Sequence, residues 1–468
     1  ARRPGLQMND HDGRVYDSRF GSLPARIEVE ECGPMRACVR VSGYHVSESG
    51  LRFCPYILRI HAFAGRSDIR VNHTYVFDQE PEDIRLSAIE LDMPLDLGEG
   101  AVSVGADREA VVGESDREMK LRYRSSDGYE IVAGDQPVAE GGREPGWAMR
   151  AGDRGSVCAS IRDGWQMHPK GLRSAPDGIV VEVWPEGEGL LDYRNPYREP
   201  PLWLEGPAPF DDEELRRKLA ENPGAPLDLH FARLGWGPEA IERCRALRDQ
   251  IEEAAPDRPY AFSNTDIARA TGTTRTTEIW LRFSPEELPA EKCRAFSQAV
   301  QKPLLAMPAP EYVCGTRASR EMHPYDPERF PEVEEALEKL FDRLIAEPQE
   351  TCDIYGHVRY GELINGHNNN DGIVYRAYRE DPSGWGDIMD KLGTFNNESQ
   401  DIINNLWALY LRTGERKYFD FAEAKSRHTE DVDFVHAFPG FAGVYPHPNT
   451  PRKALGQMHY HSVLDWSG

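Results

Sequence analysis

The chain has 468 residues, 39% of them hydrophobic and 29% charged, with a net charge of −24. That balance describes a globular protein of two or three domains and excludes a disordered chain. So acidic a composition excludes a general nucleic-acid binder, which needs cations to neutralise phosphates, and electrostatic attachment to anionic membranes. No apolar run reaches the roughly 18 residues that a spanning helix needs, and no apolar signal-type segment follows Ala1-Arg2-Arg3-Pro4. The eight cysteines form no C-x-x-C pair and no zinc-ribbon spacing, so they read as buried thiols or an occasional disulfide.

From residue 26 to about residue 205 the chain reads as strands. Ile27-Glu28-Val29-Glu30 alternates at period two, as does Ala37-Cys38-Val39-Arg40-Val41 after the turn at Gly33-Pro34. Tyr56–Phe63 and Ile69–Phe77, separated by Gly65, form a hairpin signal. Residues 100–145 are rich in Gly, Asp, Glu and Arg, and read as irregular strands and loops. Val157–Ile161 and Ile179–Trp184 add two further strands. Short strands punctuated by Gly, Pro and Asp predict an antiparallel β-sandwich or barrel-like domain over residues 1–205.

A proline cluster at Asn195-Pro196-Tyr197-Arg198-Glu199-Pro200-Pro201 marks the expected domain junction. Beyond it the apolar period changes to about 3.6. Ile241, Cys244, Leu247 and Ile251 share a face after Gly237-Pro238-Glu239. Phe330-Pro331-Glu332 opens a helix with Val333, Leu337, Leu340, Phe341 and Leu344 on its expected buried stripe. A third helix carries Ile402, Ile403, Leu406, Leu409 and Tyr410 and ends at Thr413-Gly414. A fourth runs from Glu415 to Arg427 after a very short turn. Short-turn pairs of amphipathic helices predict αα-hairpins, and hence a helical bundle, solenoid or toroid, over residues 206–468.

Polar residues suited to chemistry concentrate at the end of the chain, where five of the 14 histidines fall between His428 and His461. A neutral imidazole accepts a proton from carbon, and a tyrosine hydroxyl delivers one to a departing oxygen. Abstraction of the C5 proton of a uronate sends charge into its carboxylate, which an amide or cation stabilises. Asn396 or Asn397 suits the stabilising role, His428 or His436 the base, and Tyr445 or Tyr460 the acid. Asn396 and Asn397 also suit a helix N-cap, and His428 a helix C-terminus. His459 and His461 lie on one side of an extended segment; they suit substrate binding or, with Asp431 or Asp433, a divalent metal. Upstream, Arg275 sits among threonines in Ala270–Glu278, a stretch that reads as a helix start or β-turn with a cation for carboxylate or sulfate. Tyr355 and Arg359, in Asp353–Glu362, suit sugar binding, and Trp165, in Arg162–Lys170, lines the same cleft or packs in the core.

Several of these stretches are similar to one known family. Arg59–Gly65, His73–Asp78, Asp163-Gly164-Trp165-Gln166, His168-Pro169-Lys170 and Val183-Trp184-Pro185 resemble the β-domain of the exo-rhamnogalacturonan lyase/YetA-like proteins. Asn396-Asn397-Glu398, Tyr410–Gly414, the Arg427–His436 region and His459–Ser462 resemble the α/α toroid of that group, to which ulvan lyases look related. Thr277 stands where the resemblance expects a histidine, in Arg275-Thr276-Thr277-Glu278. The resemblance implies a RIFT-barrel or β-sandwich domain followed by an incomplete α/α toroid, and secreted or periplasmic deployment. It implies a lyase that cleaves a uronate-containing acidic polysaccharide by β-elimination, without a required cofactor. Two rivals stay open: a glycoside hydrolase with paired carboxylates among Asp353, Asp371, Glu398 and Asp431, and a non-catalytic carbohydrate-binding protein.

Overall fold

The computed structural model describes residues 3–21, 25–79, 84–106, 110–113, 117–193, 272–351, 353–363, 402–434, His436, Val444–Tyr445 and Lys453–Ala454. Strands dominate its first part. In chain order they are β1 (Gly5–Asp10), β2 (Val15–Asp17), β3 (Arg26–Cys32), β4 (Arg36–Val46), β5 (Arg52–Phe63), β6 (Asp68–Phe77), β7 (Leu86–Pro94), β8 (Val102–Gly105) and β9 (Ala110–Gly113). There follow β10 (Met119–Ser125), β11 (Gly128–Ala133), β12 (Gln136–Gly141), β13 (Trp147–Gly152), β14 (Gly155–Ile161), β15 (Lys170–Ala175), β16 (Gly178–Trp184) and β17 (Thr273–Ser284).

All 17 pair antiparallel, in two runs. One is β3-β4-β5-β6-β17-β14-β13-β8-β9. The other is β2-β1-β7-β16-β15-β10-β11-β12, and a single bridge, Asp17 to Val46, joins the two. Val71, Val104, Val157 and Ile279 from the first run meet Leu6, Leu91, Leu121, Leu172 and Val181 from the second in one core. This is the packing of a sandwich, and each such side chain contributes about 1.5–3 kcal/mol on burial.

Helices follow the sandwich. α1 (Ala290–Gln301) lays Cys293, Phe296 and Val300 on Trp147, Met149 and Cys158. That second cover explains why every residue of β14 is buried. Next come α2 (Pro310–Thr316), α3 (Pro331–Phe341) and α4 (Glu347–Thr351), with a π-helical turn at Asp342–Ala346. α5 (Ile402–Thr413) and α6 (Arg416–His428) form the expected αα-hairpin, and α6 continues into a π-helical turn, Thr429–Asp433. Gly414 closes α5 at φ +73°, its N–H donating to Tyr410 O at 2.7 Å. Phe341, Leu406, Tyr410, Tyr418 and Ala422 pack between the helices.

Several expectations need correction. Strands begin at Gly5, and residues 100–145 hold the regular strands β8 to β12. Polar residues mask those strands because one face looks outward, as the alternation of buried and half-buried residues from Met119 to Tyr123 on β10 shows. Ile27 and Val29 on β3 are 69% and 66% exposed, since β3 is paired only to β4 among the described strands. Residues 273–284 are neither helix start nor turn but a central strand, so the sandwich takes a strand from the segment expected to be all toroid. The buried stripe of α3 is Glu334 and Phe341, while Val333 and Leu340 are exposed. Arg412 explains that polar core position, pairing with Glu334 through both carboxylate oxygens at 2.5 and 2.7 Å. The proline junction and the Ile241–Ile251 helix lie outside the described residues, as does the Leu344 side chain. The six described cysteines are free thiols, and no described helix is long and apolar enough to cross a membrane.

Candidate active site

The segment Asp353–Leu363 lies across the end of the sandwich, and backbone geometry decides its path. Gly356 (φ +116°) donates its N–H to Gln166 O at 2.7 Å. Gly361 (φ +97°) lies so close to α6 that a Cβ there meets Ala424 O at 2.2 Å. Neither position accepts a side chain without strain. Val358 and Val432 anchor the segment and the Thr429–Asp433 turn in the same apolar cluster as Tyr75, Phe77 and Trp184.

Beneath this segment runs a buried chain of hydrogen-bonding groups. Lys170 Nζ donates to Val183 O at 2.9 Å and lies 2.6 Å from His357 Nδ1. His357 Nε2 is 2.7 Å from Tyr75 Oη, which is 2.6 Å from Tyr193 Oη. With Lys170 donating to Nδ1, the Nε2 hydrogen goes to Tyr75 and the Tyr75 hydrogen to Tyr193. Burial, then the Arg275 charge, pushes Lys170 well below its ordinary value. Burial, then Lys170 and Arg275, does the same to His357, whereas burial holds the Tyr75 and Tyr193 phenols up. Burial thus disfavours the charged form of every member of the chain.

At its margin stands His168, half-buried, with Gly356 against its ring. Burial, then Lys170 and Arg359 acting against Asp353, lowers this imidazole to about 4. Its Nε2 has no hydrogen-bond partner among the described residues. That nitrogen is buried, and an unpartnered nitrogen of a neutral imidazole is a proton acceptor. Beside it Trp165 and Tyr355 approach to 5.1 Å between ring centroids, and Arg143 stands 5.0 and 5.1 Å from the two rings. Arg143 donates to Ser126 O at 2.7 Å and to Glu350 at 2.6 Å, and Glu350 also accepts from Tyr355. Arg359 is buried in the same segment.

Other expected site residues have different surroundings. Arg275 is buried on β17, donating to Tyr360 O at 3.0 Å and lying 3.9 Å from Asp431; it fastens a strand to the segment above and is not open to a substrate carboxylate. The threonines around it fasten Asp431: Thr276 donates from N and Oγ1 at 2.8 Å each, and Thr274 Oγ1 donates to the Asp431 carbonyl at 3.0 Å. His428 is fully buried at the end of α6, its Nε2 2.9 Å from Glu362 and 3.6 Å from Asp433. Burial alone lowers it, but those two carboxylates hold it above its ordinary value. His428 is thus buried against two carboxylates, not in the open surroundings expected of a base that reaches a polymer.

His436 is exposed beside Gly272, its Nε2 2.6 Å from Glu430 O, which leaves Nδ1 as the acceptor. Asn396, Asn397, His459, Tyr460 and His461 lie outside the described residues. Glu362, His428 and Asp433 bring potential metal-ligand atoms within 4.8 Å of one another. Lys425 Nζ, at 3.0 Å from Glu362 and 3.5 Å from Asp433, already supplies a cation to both carboxylates.

The sequence leaves Trp165 open between the cleft and core packing; the structure packs it against the sandwich core and 5.1 Å from Tyr355, with Tyr355 and Arg359 both buried. The sequence reading misses Lys170, His357, His168, Tyr75 and Tyr193 as a set. Tyr75, the His168–Lys170 stretch, Tyr193 and His357 lie far apart along the chain, and no spacing pairs these four stretches.

Residues 6–119 match the family model described as the PcRGLX-like protein central beta sandwich domain, and residues 303–444 match the PcRGLX-like protein C-terminal alpha/alpha toroid domain. The chain is also 23% identical over 461 residues to "Uncharacterized protein YetA" of Bacillus subtilis (strain 168), covering 90% of this chain and 48% of that protein. It thus spans about half the length of the curated relative it matches. The two domain models together cover more than half of the chain, in the order sandwich then helices that the described residues show, and the chain belongs to the PcRGLX-like, rhamnogalacturonan-lyase-like family.

Proposed function

We propose that this chain belongs to a secreted or periplasmic polysaccharide lyase that cleaves a uronate-containing acidic polysaccharide, of rhamnogalacturonan or ulvan type, by β-elimination. In that reaction a neutral base takes the C5 proton. The electron pair forms the C4–C5 double bond as the C4–O bond breaks, and an acid protonates the departing oxygen. The observation that supports it is His168: a neutral imidazole whose Nε2 is buried and unpartnered among the described residues, beside Trp165, Tyr355 and Arg143. We assign His168 as the base. The Trp165 rim and Arg143 contact the sugar and its carboxylate. The Lys170–His357–Tyr75–Tyr193 chain fixes the floor. Asn396 and Asn397 remain the sequence's candidates for carboxylate stabilisation, Tyr445 and Tyr460 for protonation of the leaving oxygen, His436 for an alternative base, and His459 and His461 for substrate binding.

Among the described candidates, carboxylates fit the rival hydrolase poorly. Asp431 is held by three hydrogen bonds from β17, and Asp353 accepts from Ser126 Oγ. The test incubates the full-length protein with rhamnogalacturonan, ulvan and polygalacturonate and follows the ultraviolet absorbance of the unsaturated uronyl product. The expected result is absorbance growth, reduced about a hundredfold or more in kcat by His168→Ala. Saturated reducing sugars without the chromophore would establish hydrolysis and sink this reading.

A further inference from the structure

A second concave site lies on the sandwich, sharing no lining residue with the Trp165–Lys170 or Asp353–Leu363 segments. It has a volume of about 570 Å³ and opens among β4, β5 and the residues Ser18, Phe20, Gly21 and Ala25. Its lining contains three arginines, Arg26, Arg40 and Arg52, and no carboxylate. In a chain of net charge −24 that is a strong local reversal of sign. Two aromatic rings flank the arginines: Phe20 and Tyr44 are 44% and 40% exposed.

Hydrogen-bonding capacity there is incompletely used. The Arg52 guanidinium stands 5.3 Å over the Tyr44 ring and makes no ion pair among the described residues. Arg40 Nε is buried without a hydrogen-bond partner among them, with Glu30 at 3.8 Å and Glu28 at 3.5 Å from the guanidinium. Arg26 donates to Glu28 at 2.6 Å. Glu28 thus serves two arginines, and the pocket retains positive charge next to exposed aromatic faces. Aromatic faces take the apolar side of a pyranose ring, and guanidinium groups take a carboxylate by paired donors.

We propose that this pocket binds a uronate-bearing stretch of saccharide as a non-catalytic site, holding the polymer while the candidate active site acts elsewhere. The identity of the saccharide rests on the lyase reading; the anion-plus-ring chemistry of the pocket does not.

Calorimetric titration of the intact chain with an oligogalacturonate tests it, with a neutral galactan oligosaccharide of equal length as control and inorganic sulfate as competitor. Arg52→Gln and Tyr44→Ala each weaken oligogalacturonate binding about tenfold, while Tyr44→Phe, which keeps the ring, binds as the parent does. In the full-length protein the same two variants raise KM for polymer and leave kcat on a short soluble substrate unchanged. Unchanged oligogalacturonate binding in both variants overturns the proposal. So does equal binding of the neutral galactan, or displacement by sulfate as effective as by free oligogalacturonate, which marks a simple anion site. Variant-sensitive binding without an unsaturated product from any uronate polymer sinks the lyase reading and keeps the pocket. Product formation with variant-insensitive binding does the reverse.

Discussion

Three buried histidines of the sandwich are held neutral by burial, and this makes the fold sensitive to acid. Burial lowers His45 to about 4, His168 to about 4 and, with His45 and Lys170 adding to it, His73 to about 3, all from 6.5. An unfolded chain binds more protons than the folded one between 6.5 and those values, so stability falls as pH drops through that window. His428 has the opposite sign. Its raised value contributes stability that is complete below 6.5 and is lost as pH rises through its folded value. His73 has no hydrogen-bond partner for either ring nitrogen among the described residues, so its replacement breaks no described bond. In urea unfolding across the acid window, His73→Leu is expected to reduce the slope of stability against pH by about 1.4 kcal/mol per pH unit. An unchanged slope would show that His73 does not enter the fold neutral.

Among elements, α6 carries the heaviest polar burden. Lys425, His428, Glu362 and Asp433 are each at most 2% exposed, and Lys425 and His428 both lie against the two carboxylates, so each member depends on the others. Removal of one member leaves an uncompensated charge in the interior. Lys425→Met is expected to cost about 3–5 kcal/mol and to loosen the Asp353–Leu363 segment, which Glu362 ties to α6. Chemical denaturation measures the first effect. The second appears as faster hydrogen exchange at Gly356 and Tyr360, whose amides are bonded to Gln166 O and Gly356 O. Slow exchange at both amides in the variant would count against that coupling.

On the scale of the molecule, an ion network joins sandwich to helices. Arg162, at the end of β14, pairs with Glu423 of α6; Arg427 of the same helix donates to Glu278 of β17 at 2.6 Å and to Glu423 at 3.1 Å. Trp280 Nε1 completes Glu278 at 2.8 Å. Burial opposes the Glu278 charge, but Arg427 and Arg162 hold its carboxyl below the usual range. A double-mutant cycle on Arg162→Ala and Glu423→Ala is expected to give a coupling of about 1–3 kcal/mol in global unfolding. Additive single effects would mean that the Arg162–Glu423 pair does not help to hold the two domains together.

Much of the local structure was legible in the chain. Period-two alternation located β3 and β4, the runs on either side of Gly65 located the β5–β6 hairpin, the glycine after Thr413 located the α5–α6 turn, and the motif residues led to the family that the domain matches bear out. Local pattern failed where burial is set by distant partners. Glu334 occupies a core position because Arg412 meets it, and the threonines of β17 are strand residues because Asp431 accepts their hydrogen bonds. The candidate site belongs to that second kind. Trp165 and Tyr355 were recognisable as residue types suited to sugars, but only packing sets them 5.1 Å apart beside a neutral His168. The sequence by itself determined the fold class, because side-chain periodicity is a local property of strand and helix. Tertiary structure alone decided which bases are neutral and which are charge-paired, because desolvation and ion pairing depend on neighbours far away along the chain.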